Sequence, residues 1–94
     1  GVCVHQGKEY RNGEEWTYRS FIMRCDVHHN YWQTKVVACV SLMGDRIPVG
    51  GQKSDRHGLW KCIQDPSGNT RLVNCKNLRV EKCNIDKMSN NLLK

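Results

Sequence analysis

Cysteine and histidine are the residues of this chain with the most adaptable chemistry, because both can ligate zinc. One residue separates Cys3 from His5, and two separate Cys25 from His28, close to the ligand spacing of zinc sites. If the cysteines pair as disulfides instead, these histidines have no thiolate co-ligands. We favour disulfides, and we therefore expect no metal and no other cofactor.

The six cysteines are the strongest chemical signal in the 94 residues. They are dispersed and never spaced as C-x-x-C, which is typical of a disulfide framework formed in an oxidising compartment. A chain of this size with 38% hydrophobic residues buries a thin core and needs such cross-links. We therefore predict a secreted, extracellular protein. No apolar run approaches the roughly 20 residues of a membrane span, so we expect no membrane insertion.

Groups that could catalyse a reaction are poorly placed in the sequence. Glu14 and Glu15 are adjacent, so in a strand their side chains lie on opposite faces, which does not suit paired acid–base work. His28 and His29 fall in a predicted turn. Gly50-Gly51 leads into a polar stretch rather than the helix that follows a phosphate-binding loop. We predict that the protein is not an enzyme.

The net charge of +6 is uneven, since residues 39–94 hold ten basic and five acidic residues. A basic field speeds association with anionic protein faces or glycosaminoglycans, although basic residues scattered singly are also typical of a solvated surface. Binding residues concentrate on loops of a rigid scaffold. We therefore predict binding residues in a long polar loop and in the loop between Cys75 and Cys83. They are Arg46, Lys53, Arg56, Lys76, Arg79 and Lys82.

Nucleic acid is a weaker candidate ligand. Aromatic residues lie among the basic ones, and aromatic rings can stack on bases. A secreted, disulfide-rich chain seldom meets nucleic acid, so we expect no such partner. The sequence makes no prediction of oligomeric state.

Part of the sequence is repeated, and the second copy is shifted by 37 positions. The matched residues are Gly7 and Gly44, Tyr10 and Ile47, Gly13 and Gly50, and Cys25 and Cys62. This pattern indicates an internal duplication. We predict one module at residues 3–38, a second at 39–75, and a basic disulfide loop with a C-terminal tail at 76–94.

Strand signals dominate both copies. Asn12-Gly13 tolerates positive φ and predicts the turn of a small hairpin over residues 3–18, anchored by Tyr10 and Trp16. Alternating apolar residues predict strands at 21–27, 31–40, 59–63 and 70–75.

Turn and loop signals separate these strands. Residues 65–69 predict a tight turn, and Pro48 requires that its strand lie at a sheet edge or end early. Residues 50–58 are polar and glycine-rich, which predicts a flexible loop. The fold class is therefore all-β, built from small disulfide-stapled β-hairpin modules. The sequence does not determine whether the modules pack separately, as one barrel or as a sandwich.

Cys3 followed by Gly7-x-x-Tyr10-x-x-Gly13-Glu14-x-Trp16 resembles the opening of the fibronectin type I module. Met23-Arg24-Cys25 resembles its later strand, in which a methionine shortly precedes a cysteine. With residues 36–40, 47–50 and 58–62, the pattern is similar to a nematode family of secreted proteins related to the abnormal cell migration protein. The resemblance covers residues 3–75. It implies an extracellular, matrix-facing or excreted binding protein with no catalytic residue.

The repeat suggests which cysteines pair. Six cysteines allow many connectivities. If each copy closes on itself, the pairs are Cys3–Cys25, Cys39–Cys62 and Cys75–Cys83, which is a hypothesis from symmetry.

We expect a secreted, non-catalytic protein that binds an extracellular protein or a glycosaminoglycan. The protein ligand would belong to the matrix, a cell surface or a host. The alternative is an excreted parasite inhibitor or immunomodulator on a netrin-like β-barrel, similar to tissue inhibitors of metalloproteases.

Overall fold

Residues 1–75 are described by the structure, a computed structural model. In this range nine strands pair only in antiparallel fashion, and there is no helix, which confirms the all-β prediction. The strands are β1 (Cys3–His5), β2 (Lys8–Tyr10), β3 (Glu15–Tyr18), β4 (Phe21–Val27), β5 (Trp32–Val40), β6 (Arg46–Pro48), β7 (Gln52–Asp55), β8 (Gly58–Gln64) and β9 (Thr70–Asn74). They form three open sheets with the orders β1-β2, β3-β4-β5-β6 and β7-β8-β9. The described residues therefore do not close into one barrel.

The first hairpin turns earlier than the sequence predicts. β1 and β2 are joined by Gln6 and Gly7, whose φ angles are 50° and 78°, and Cys3 faces Tyr10 across the pair. Asn12 and Gly13 instead connect the first sheet to the second. The Gly13 amide donates to the carbonyl of Cys25 at 2.8 Å, and the φ of 85° that this needs is one glycine adopts without strain.

The second and third sheets follow the strand signals with one exception. β6 is an edge strand, as Pro48 predicts. The predicted flexible loop at 50–58 is wrong in part, because β7 runs through it and pairs with β8 in the register Gln52 to Lys61. β7 is polar and largely exposed, so backbone hydrogen bonds rather than apolar burial hold it in the sheet.

The duplication seen in the sequence is also present in the structure. β7 and β8 repeat the bounds of β3 and β4 with the same shift of 37 residues. The Gly50 amide donates to the carbonyl of Cys62 at 2.8 Å, as Gly13 does to Cys25. Cys39 faces Ile47 across β5 and β6 in the way that Cys3 faces Tyr10 across β1 and β2. We call β1–β5 the first repeat, and the end of β5 with β6–β9 the second repeat.

Strand β5 belongs to both repeats. It pairs with β4 along the first repeat, and its last three residues pair with β6 to open the second. The predicted boundary between residues 38 and 39 falls inside this strand. The repeats are therefore joined by a shared strand and not by a linker.

Disulfides lie at the centre of each repeat. Cys3 is bonded to Cys25 and Cys39 to Cys62, with Cα–Cα distances of 5.7 and 5.6 Å. These are the two pairs that the repeat symmetry suggests. Cys75 is 4% exposed, and the suggested pair with Cys83 lies outside the described residues, as does the predicted segment 76–94.

The main core lies where the two repeats meet. Ile47 is 1% exposed and is buried together with Cys39 and Cys62. The partly buried residues packed against this cluster are Phe21 from the first repeat and Val49, Trp60 and Leu72 from the second. Phe21 thus extends the core of the second repeat into the first.

Candidate binding surface

The loop between β5 and β6 presents two apolar side chains to solvent. Leu42 is 72% exposed and Met43 is 46% exposed. The loop is held by its own hydrogen bonds, since the Ser41 amide donates to the carbonyl of Asp45 at 2.9 Å and the Gly44 amide donates back to Ser41 at 2.9 Å. Large contiguous apolar patches on a protein surface mark interaction sites, and this adjacent pair makes the loop a candidate for one.

Three of the predicted binding residues gather around this loop. Arg46 follows it directly as the first residue of β6. The Lys53 Nζ lies 3.0 Å from Asp45 Oδ1, and the Arg56 Nη2 lies 3.9 Å from Met43 Sδ. We call Leu42, Met43, Arg46, Lys53 and Arg56 the tip surface. The other three predicted binding residues, Lys76, Arg79 and Lys82, lie outside the described residues.

Carboxylates offset much of the positive charge of the tip surface. Arg46 Nη1 lies 2.8 Å from Glu15 Oε1, and this hydrogen bond lowers the pKa of Glu15 and raises that of Arg46. Lys53 pairs with Asp45. Arg56 donates to the His57 ring at 3.4 Å and to the sulfur of Met43, and not to a carboxylate within residues 1–75. Arg56 is therefore the cation of this surface whose charge is least offset.

A groove adjoins the tip surface at the junction of the second and third sheets. Its volume is about 380 Å³, and its lining includes Arg19, Ser20, Val40, Leu42, Trp60 and Leu72. The Trp60 Nε1 donates to Asp55 Oδ2 at 2.9 Å, which fixes the indole in the wall. Leu42 belongs to both the tip surface and the groove, so the two form one continuous feature.

Charge counting pointed to Arg46, Lys53 and Arg56 but missed the apolar part of the site. The sequence signal that could have found it is Leu42-Met43 next to Gly44-Asp45. Two large apolar residues beside a turn dipeptide have no strand face on which to be buried.

The residues considered above for zinc binding or acid–base chemistry form hydrogen bonds and ring contacts with other residues of the fold. His5 Nδ1 accepts a hydrogen bond from Trp16 Nε1 at 3.2 Å, and the ring of His28 stacks on Tyr31 at 4.5 Å. The Glu14 carboxylate accepts from the Arg11 amide at 2.7 Å. Among residues 1–75, no three His, Cys, Asp or Glu side chains are grouped to hold a metal. In the same range no helix has the length and apolar character to cross a membrane.

Comparison with known protein families shows to which family the chain belongs. The family model of the fibronectin type I domain matches residues 1–70. The chain belongs to the fibronectin type I domain family. The match includes both disulfides and the tip surface, and disulfide-bonded domains of this kind are typical of extracellular proteins.

A curated relative also matches this fibronectin type I chain. It is an uncharacterized protein of Caenorhabditis elegans that is 29% identical over 76 residues. The aligned part is 79% of this chain and 30% of the relative, so the chain spans about 30% of the length of the curated relative it matches. No solved structure matches the chain.

Proposed function

We propose that the chain is a secreted, non-catalytic module that binds an extracellular protein through its tip surface. The observation that supports this is the exposed pair Leu42 and Met43, on a loop fixed by Ser41 and Gly44 and surrounded by three basic side chains. Interfaces concentrate their energy in a few apolar or aromatic anchors within a polar rim. The tip surface has this composition.

A protein ligand fits the charges of the tip surface better than a glycosaminoglycan does. Polyanion binding depends on cations that are free to contact successive acidic groups. Arg46 and Lys53 already face Glu15 and Asp45, which leaves Arg56 as the least offset cation. The apolar anchors then supply the binding free energy, while the net charge of +6 speeds the encounter with acidic partners.

The type of ligand is inferred from the family. Membership of the fibronectin type I family and the residue pattern similar to the nematode abnormal cell migration proteins together favour a matrix or cell-surface protein. The matching relative is itself a nematode protein. The alternative of an inhibitor on a netrin-like barrel gains no support from the three open sheets of the described residues.

Binding to purified laminin, type IV collagen and heparin tests this proposal. We expect saturable binding to at least one of the two proteins and weaker, salt-sensitive retention on heparin. Changing Leu42→Ser together with Met43→Ser should weaken protein binding at least tenfold. The matched control is Val4→Ser with Tyr31→Ser, two exposed apolar residues elsewhere (45% and 58% exposed), which should bind as the unchanged protein does.

Two results would overturn the proposal. One is an absence of binding to both matrix proteins. The other is equal loss of binding in the tip variant and in the control variant, since a general loss of surface hydrophobicity would then explain it.

A further inference from the structure

The groove beside the tip surface has a charged residue in its lining that has no role in the proposed function. Among residues 1–75, its lining contains one cation, Arg19, and no carboxylate. The nearby carboxylate of Asp55 accepts hydrogen bonds from the Trp60 indole at 2.9 Å and from the His57 amide at 2.7 Å. Within the described residues, the groove is therefore lined mainly by uncharged side chains, and Arg19 is the charged residue beside them.

Arg19 occupies a backbone conformation that glycine adopts more readily. Its φ is 57°, and among residues 1–75 only Gln6 shares a positive φ without being glycine. A two-residue hairpin turn favours a positive φ, which the second repeat places at Gly58 with a φ of 116° and the first repeat places at Arg19, a residue with a side chain. Strain retained at a side chain is a reason to look for a function of that side chain.

The guanidinium of Arg19 is positioned but not neutralised. It lies over the ring of Tyr18, 5.1 Å from the centroid, and contacts of this kind restrict the side chain. Within residues 1–75 it forms no ion pair with a carboxylate. Arg19 thus differs from Arg24 and Arg46, whose guanidinium groups lie 2.7 and 2.8 Å from the carboxylates of Asp26 and Glu15.

We propose that the groove is a subsite for an apolar side chain that is flanked by a carboxylate on the bound protein. The guanidinium of Arg19 binds the carboxylate, and Val40, Trp60 and Leu72 contact the apolar side chain. An acidic segment complements the charge of this site, because a basic segment would be repelled by Arg19 and a neutral segment would give the guanidinium no anionic partner. This inference rests on the proposed function, since Leu42 is part of both surfaces.

A pair of peptides tests the subsite directly. The probes are acetyl-Glu-Leu-Glu-Leu-Glu-amide and its analogue with each Glu replaced by Gln, titrated into nitrogen-15-labelled protein. We expect the acidic peptide to shift the indole N–H signal of Trp60 and the amide signals of Val40 and Leu72. It should bind about tenfold more tightly than the Gln peptide, as expected for a charge-assisted hydrogen bond.

Two glycine variants separate the side chain from the backbone. Arg19→Gly keeps the left-handed backbone and removes the guanidinium, so the variant should unfold at the same temperature or higher, and both peptides should bind equally weakly. Gln6→Gly relieves the same type of strain outside the groove and should keep the tenfold preference. Arg19→Lys should keep part of it, because lysine retains the charge but not the planar group.

The outcomes also distinguish this subsite from the proposed function. No binding of the acidic peptide, or an undiminished preference in Arg19→Gly, would overturn the subsite. If Arg19→Gly still binds laminin or collagen with full affinity while the tip variant does not, the subsite is wrong and the proposed function stands. If the peptide binds at Trp60 but no matrix protein binds, the proposed function fails and the subsite stands for a different acidic protein.

Discussion

Replacing Ile47 by alanine probes the core that joins the two repeats. Ile47 is 1% exposed and packs in one cluster with Cys39 and Cys62. The change removes roughly three buried carbon groups at about 0.8 kcal/mol each, and the cavity left behind raises the expected loss to about 3–4 kcal/mol. A small domain is stable by roughly 5–10 kcal/mol, so about half of the free energy of unfolding would be lost.

The matched variant is Tyr10→Ala, at the equivalent position of the first repeat. Tyr10 is only partly buried, and its ring stacks on Trp16 with centroids 3.7 Å apart. Losing this stacking and the associated burial should cost about 2 kcal/mol. The free energies come from urea unfolding with the disulfides intact, followed by tryptophan fluorescence. The indole NMR signals of Trp16 and Trp60 report on the two repeats separately.

Because Phe21 carries the core into the first repeat, both indole signals should disappear at the same urea concentration, and Ile47→Ala should lower that concentration for both. A cost below about 1 kcal/mol would refute the assignment of Ile47 to the core. Unfolding of the Trp60 region at a lower urea concentration than the Trp16 region would refute the shared core.

Three further predictions use the same unfolding measurements. Gly50→Ala should cost about 1–2 kcal/mol through its φ of 85° alone, since no atom lies within 4 Å of an added Cβ, and a neutral result would contradict the turn geometry. Changing both Cys39 and Cys62 to alanine opens a closed loop with a sequence separation of 23 and should cost about 3 kcal/mol, whereas a loss under 1 kcal/mol would show that the bond is dispensable. Three carboxyl groups have lowered pKa values, because Glu15 accepts a hydrogen bond from Arg46, Asp26 from Arg24, and Asp65 from Ser67. These carboxylates stabilise the folded state fully above the ordinary carboxyl pKa range near pH 4. Their contribution is lost as the pH falls through the lowered pKa values. The thermal unfolding midpoint should therefore fall on acidification below about pH 5, and a flat profile down to pH 2 would contradict this.

Strands with apolar alternation could be predicted from the sequence. The predicted strands at 21–27 and 59–63 correspond to β4 and β8, which place Cys25 and Cys62 in the core. β7 could not be predicted in this way, because Gln52–Asp55 has no apolar residue and is held by the edge of β8. The first turn was misplaced because Gln6, which carries no turn signal, adopts a positive φ and joins β1 to β2 together with Gly7, whereas Asn12-Gly13 connects two sheets.

The candidate site was predicted only in its charged part. Arg46, Lys53 and Arg56 are visible as basic residues in a polar stretch. The ion pairs of Arg46 with Glu15 and of Lys53 with Asp45 join residues that are 31 and 8 positions apart, and no sequence pattern predicts them. The exposure of Leu42 depends on the tight loop that Ser41 and Gly44 close. The groove needs Arg19 and Trp60 from different sheets, and no periodicity in the sequence places them together.

The shared strand determines how the two repeats respond to mechanical load. When two modules joined by a flexible linker are pulled apart, the linker straightens before the folds bear force. Here the backbone of β5 is hydrogen-bonded to β4 along one edge and to β6 along the other, so tension between the repeats acts at once on strands of both repeats within one sheet. Disulfides anchor both halves of this path, from Cys3 to Cys25 and from Cys39 to Cys62. The pair of repeats should therefore behave as one stiff element whose extension under tension is limited by covalent bonds.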